Sequence, residues 1–297
     1  MIDLTQIQSP ILFRGDAKTA YRDPAAVWQD GWCHLFFTLV ETEEDGRVFM
    51  YTAKSKSRDL VTWTEPRKLT PRDQRLNYSS PGNIIRHHGK WVLCLQTYCR
   101  ENGEKYGNHR SRLYVMESDD LENFSSPRLL RVKGDIPEEE MGRMIDPYLL
   151  RDREDPELWW CFFKQNGVSM SVSRDLIHWN YVGHTEAGEN VCVVEKDNRY
   201  YMFHSPDNGI GVMQSENGTD WTHTQHLLLG QEDWPWAQGR ITAGFVIPAK
   251  TTEGETWLMF FHGSGPEDEK TMFDHHASLG IAWSRDLENW CWPGKSK

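Results

Sequence analysis

The sequence predicts an all-β protein, a single β-propeller of five blades with four antiparallel strands in each. Three observations predict it. A short phrase recurs five times along 297 residues: SKSRDLVTW at 55–63, SDDLENF at 118–124, SVSRDLIHW at 171–179, SENGTDW at 215–221 and WSRDLENW at 283–290. The runs before these copies are short, apolar or alternating, and separated by turn dipeptides such as Asp30-Gly31, Asp45-Gly46 and Asn166-Gly167. That is the pattern of hairpin-linked strands. No stretch carries the 3.6-residue apolar period of a helix, apart from one short turn over 137–143.

Each element follows from the repeat. Before the first copy come DPAAVW, WCHLFFTLV and RVFMYTAKS; before the third, DPYLLR, LWWCFFKQ and VSMSVS; before the fifth, TAGFVIP, TWLMFFHG and SLGIAWS. Each unit is therefore three strands, a polar turn, and a fourth strand opening on Leu and an aromatic residue. The copies end at Trp63, Phe124, Trp179, Trp221 and Trp290, an uneven spacing that suits one supersecondary unit with variable loops. The Asp of each phrase caps its turn, and the aromatic residue wedges between neighbouring blades. The predicted blades span 20–90, 78–135, 144–185, 187–232 and 239–293, with 9–15 (SPILFRG) pairing into the last blade to close the ring. One domain covers 1–297.

Composition narrows the function. Apolar residues make up 38% and charged residues 26%, which suits a soluble globular chain with a core. No apolar run is long enough to span a membrane as a helix. The N-terminus lacks a signal-peptide pattern, so a cytoplasmic location is expected. A net charge of −11 argues against a nucleic-acid partner. Six cysteines, at 33, 94, 99, 161, 192 and 291, form no CxxC pair, and most lie in apolar strand-like runs. They read as buried free thiols without zinc-ligand spacing. Aromatics reach 12%, including 14 Trp, fitting β-structure and stacking on a flat ligand.

In a propeller the innermost strands all start at one end of a central channel, so their heads meet in space. In order the heads are Asp23-Pro24, Pro81-Gly82-Asn83, Asp146-Pro147, Glu189-Asn190, and Arg240 before Ile241-Thr242. An isolated Asp-Pro is an ordinary turn dipeptide, and Glu186 rivals Glu189. The register carries the argument: blades 1, 3 and 4 all bring acids to one mouth. Like charges so crowded cannot all ionise freely, so at least one pKa rises, a feature usually kept for function.

These heads also carry a resemblance. YRDPAAVW, MIDPYLL and ENVCVVEKDNRYYMFHS resemble the five-bladed glycoside hydrolases of family 43 and, more loosely, the arabinanases, levansucrases and invertases. The likeness covers nearly the whole chain. It implies a carbohydrate substrate, with Asp23 as general base, Asp146 as the tuning and orienting residue, and Glu189 as general acid. Arg240 stands where the family places a residue touching the sugar or a central ion. No cofactor is implied beyond a calcium ion or water at the channel centre. Two departures stand out. Asn190-Val191 replaces the usual Gly-Pro after the acid, and the Asp-Pro-Asn of invertases is missing, which makes a fructosidase less expected.

The expected reaction is hydrolysis of a small oligosaccharide, a pentoside such as an arabinofuranoside or xyloside, or a galactoside. Blades 1 and 4 lie across the channel, which suits the wide carboxyl separation of an inverting enzyme. Asp146, beside the acid, is expected to raise its pKa. Loops 101–110, 231–240 and 264–277 shape the pocket. Trp234 and Trp236 either stack on a sugar or anchor their loop, and Tyr21, Asn83 and His262 are further substrate-contact candidates. His275-His276 diverge in an extended chain, so no metal pair is expected. Two alternatives remain: a glycoside phosphorylase using Arg143, Arg240 and His275 for phosphate, and a non-catalytic carbohydrate-binding propeller.

Overall fold

Each copy of the repeated phrase folds into the same hydrogen-bonded turn. Ser57 Oγ accepts the backbone N–H groups of Asp59 and Leu60, while Asp59 Oδ1 accepts those of Val61 and Thr62 at 2.9 and 2.7 Å. The side-chain oxygens of Asp120, Asp175, Asn217 and Asp286 accept the matching pairs of N–H groups in the other copies. Short polar side chains thus supply bonds that the turn backbone cannot make for itself. The next residue is left-handed every time: Leu60, Leu121, Leu176 and Leu287 have φ of 63, 61, 58 and 72°, and Gly218 has 78°. A leucine is strained there, but all four are buried at 5% exposure or less. Burial outweighs the local cost, and the copy without that leucine uses glycine, which has no such cost.

A computed structural model describes residues 1–271 and 274–295. From channel to rim, blade 1 is Thr19–Gln29, Trp32–Thr42, Val48–Ser57 and Arg67–Lys68. Blade 2 is Tyr78–His87, Lys90–Thr97, Leu113–Ser118 and Arg128–Leu129. Blade 3 is Ile145–Arg151, Trp159–Lys164, Val168–Ser173 and Trp179–Thr185; blade 4 is Glu189–Lys196, Arg199–Ser205, Ile210–Ser215 and Thr222–Leu227. Blade 5 is Arg240–Thr251, Gly254–Ser264 and Ser278–Ser284, whose outer edge pairs with both Trp290–Cys291 and the N-terminal Ile11–Phe13. The closing strand is the one expected. Blade 1 is shorter than expected, because its last strand ends at Lys68 and Tyr78–His87 belongs to blade 2. Fourth strands open directly on the aromatic residue only in blades 3 and 5. The expected turn over 137–143 is the 3₁₀ helix Glu138–Glu140. No helix among the described residues is long and apolar enough to cross a membrane.

The aromatic wedges lie where the repeat puts them. Phe124 of blade 2 meets Phe36 of blade 1, Trp221 of blade 4 meets Phe162 of blade 3, and Trp290 of blade 5 meets Phe203 of blade 4. All three contacts are edge-on, with centroids 5.9–6.2 Å apart. Such pairs add attraction beyond the apolar area they bury. At the closure, Phe13 packs against Tyr21, Phe37 and Trp63 at 5.3–5.6 Å. Five of the six cysteines are buried and all six are free.

Candidate active site

Every innermost strand is broken near its head by a bulge with one residue at positive φ. These residues are Asp23 (47°), Ser80 (43°), Asp146 (52°), Asn190 (52°) and Ala243 (54°), each at a register shift. A bulge re-aims side chains, and five of them converge on the channel mouth. The equivalent heads therefore differ from the expected ones in three blades. Ser80, not Asn83, is the blade 2 equivalent of Asp23. Asn190 occupies that place in blade 4, with Glu189 one residue earlier, and Ala243 does so in blade 5. Aligning Ser80-Pro81 with the two Asp-Pro pairs would have found Ser80. Asn190 also accounts for the missing glycine after Glu189, since Asn tolerates the left-handed region better than most residues.

The mouth is a small pocket lined by Arg22, Asp23, Gln96, Tyr98, Ile145, Asp146, Glu189, Asn190, Arg240, Thr242 and His262. Asp23, Asp146 and Glu189 are thus brought together, as expected. Glu186 is exposed and outside this lining. A wider cleft, beside Trp28 and Trp257, lies at the opposite ends of the strands, away from the three acids.

Hydrogen bonds tie the buried acids together. Thr38 Oγ1 donates to Asp23 Oδ2 at 2.8 Å and accepts the Ser80 backbone N–H at 2.7 Å. Ser80 Oγ donates to Asp146 Oδ1 at 2.6 Å, and Asn190 Nδ2 donates to the same oxygen at 3.1 Å. Gln96 Oε1 accepts the Asp146 backbone N–H at 2.6 Å. Blades 1 to 4 are thereby linked through one polar path. Thr38 and Gln96 escaped the sequence reading because nothing local marks a bulge partner.

Crowding raises the pKa of Asp146 to about 8, first through burial and then through the charges of Glu189 and Asp23. Of the crowded carboxyls, at least one of which was expected to rise, Asp146 does so, its full burial leading. Nδ1 of His262 accepts the Asp23 backbone N–H at 3.1 Å, and burial drops the ring's pKa to about 3. His262 is therefore neutral, with its proton on Nε2. Arg22 was missed by sequence reasoning. Its Nε lies 3.8 Å from Asp23 Oδ2, and although burial disfavours its charge, Asp23, Tyr98, Asp274 and Glu189 outweigh that and raise its pKa. Arg240 lines the pocket and pairs with Glu269 at 3.1 Å.

Four expected contact residues lie elsewhere. Trp234 and Trp236 stack on each other at 5.5 Å and on Phe261, and Trp234 also meets Trp292, so both rings anchor their loop on blade 5. Tyr21 belongs to the aromatic closure, because its side chain falls on the face of the strand opposite the mouth. Asn83 is a clasp between blades: its side chain bonds the Leu149 carbonyl and N–H at 2.7 and 2.9 Å. Among the described residues no group of three or more His, Cys, Asp or Glu is arranged to hold a metal ion.

The fold has counterparts among known proteins. A thermostable family-43 glycoside hydrolase superposes with a TM-score of 0.63 over 98% of this chain and 96% of its own, at 13% identity. The catalytic domain of the Coprinopsis cinerea GH62 α-L-arabinofuranosidase gives 0.66 over 91% and 96%, at 15% identity. The GH43_1 enzyme from Xanthomonas citri, complexed with xylose, gives 0.61 over 93% and 92%, at 13% identity. At such identities these likenesses show the shared fold. No curated protein sequence matches the chain. The family model for the N-terminal domain of glycosyl hydrolases family 32 matches residues 17–237. The chain belongs to that family of five-bladed propellers, and it is a glycosidase.

Proposed function

We propose that the protein hydrolyses a glycosidic bond in a short oligosaccharide, with inversion of the anomeric centre. Glu189 protonates the leaving oxygen, Asp23 activates the attacking water, and Asp146 orients the sugar and shapes the charge between them. The observation that carries this reading is the meeting of three acids, distant in sequence, in one small pocket. Cleavage needs one protonated carboxyl at the leaving oxygen and one carboxylate at the opposite face of the sugar. Asp23 and Glu189 stand on non-adjacent blades, which favours the wider separation of an inverting pair. Thr38 and His262 hold Asp23 from its side chain and its backbone. Glu189 is preferred to Glu186 as the acid because only the former lines the pocket.

The substrate is proposed to be a pentoside or galactoside. The test is sugar release from aryl pentosides and hexosides, and from short arabino-, xylo-, galacto- and fructo-oligosaccharides. Wild type and Glu189→Gln are compared. Turnover should fall by roughly 10²–10⁴-fold in the variant, and proton NMR of the first product should show the inverted anomer. An active Glu189→Gln protein would remove Glu189 as the acid. A retained anomer would make Asp23 a nucleophile instead.

A further inference from the structure

The rim around the pocket is uneven. Over blades 3 and 4 the connections at this end are minimal: 165–167 and 206–209 within the blades, and 186–188 between them. Around blades 2 and 5 they are long, while those at blade 1 are 14–18, 43–47 and 69–77. Residues 98–112 and 130–144 flank blade 2, while 228–239 and 265–277, apart from 272 and 273, flank blade 5.

The long connections are braced against one another. Buried Arg112 donates to the carbonyls of His109, Gly142 and Glu138, and Arg143 donates to that of Gly107, joining 98–112 to 130–144. Arg100 and Asp274 form a two-pronged ion pair at 2.9 and 3.0 Å, with side chains only 15% and 6% exposed. That pair joins blade 2 to blade 5 across blade 1. Arg100 also fixes its own loop through the Glu104 carbonyl, and Arg240–Glu269 continues the wall along blade 5. A bidentate, largely desolvated guanidinium–carboxylate pair is a rigid strut, unlike an exposed contact that a ligand displaces cheaply.

We propose that the pocket is a dead end that receives the terminal sugar of a chain, with the remaining units leaving through the gap over blades 3 and 4. The protein then acts from chain ends, one unit at a time. This rests on the glycosidase reading above. A chain bound by a middle unit would have to run on past blade 1, where Arg100–Asp274 stands. The general acid belongs at the oxygen between the cleaved sugar and the leaving chain, and Glu189 stands at the head of blade 4, beside the gap. The cleaved sugar therefore lies toward blades 1, 2 and 5, against Asp23 and the wall.

Two readouts test this with the same arabino-, xylo-, galacto- and fructo-oligosaccharides and their polymers. The first is the product pattern of the wild type: single sugars from the earliest time points, with no fall in polymer viscosity. Intermediate oligosaccharides at early times would overturn the proposal. The second is saturation-transfer NMR of the same oligosaccharides bound to Glu189→Gln. Protons of one terminal unit should take up saturation strongly, and the others progressively less. Uniform saturation along the chain would overturn chain-end recognition. Terminal saturation without any wild-type turnover would preserve chain-end recognition and instead remove the hydrolytic reading.

Discussion

Asp146 is where function and stability conflict. Its carboxyl is buried between two other acids, accepts bonds from Ser80 and Asn190, and has a pKa raised to about 8. A folded-state pKa above the unfolded value means that the native state holds the proton more tightly. The stability this contributes is full below about pH 4, the ordinary carboxyl value, and is lost as pH rises through about 8. Asp146→Asn keeps an oxygen for Ser80 and cannot ionise. It should match the wild type in melting temperature near pH 4 and exceed it by at least roughly 2 °C at pH 8. Sugar release should meanwhile fall about 10²-fold. Thermal scans across this pH range, with assays alongside, check it; a wild-type stability curve that is flat between these limits would show that Asp146 does not hold its proton. The identity of the acids could be read from sequence, but their partners could not. Thr38 and Ser80 are ordinary strand residues until the bulges turn them toward Asp23 and Asp146.

At the level of elements, the repeated turn is a small device used five times. Asp59, Asp120 and Asp175 have lowered pKa values: backbone N–H groups lead at Asp59 and Asp120, and the His178 side chain leads at Asp175. At Asp286 partial burial opposes the shift, but bonds from Asn289, Glu288 and Ser284 overcome it and leave the pKa at about 2. Here the sign is the reverse of Asp146. The stabilisation is present above the ordinary carboxyl value and is lost as pH falls through about 2. Blade 4 already carries Asn217 in this role. Asp286→Asn should therefore keep the turn, leave sugar release unchanged, and reduce the loss of stability between about pH 4 and pH 2. Asp286→Ala should cost about 1 kcal/mol at neutral pH in urea unfolding. Equal stability of the alanine variant and the wild type would show that the bonds add nothing.

At the scale of the whole molecule, the ring closes by pairing its first strand with its last blade. Phe13 carries that closure through three aromatic contacts. Phe13→Ala should lower unfolding free energy by about 2–4 kcal/mol, at or below the range for truncating a fully buried aromatic ring because Phe13 is only partly buried. Chemical denaturation measures this directly, and a change near zero would place the closure energy in the strand pairing alone. The same scale governs the site. One rim wall and one gap exist only because loops of different length stand on blades of the same plan.

Five blades, the closing strand, the turn chemistry and the three crowded acids are legible in the amino-acid order alone. Hydrogen-bonded turns and two-residue alternation are local, and local patterns repeat visibly. The register at the channel mouth is set by the folded ring, where the bulges displace Asn83 from its expected place and put Ser80 there. The folded ring likewise places Trp234 and Trp236 in a loop anchor, Tyr21 in the closure, and His262 against Asp23. Those outcomes depend on contacts between residues tens to hundreds of positions apart, and on backbone conformations that no single residue type dictates.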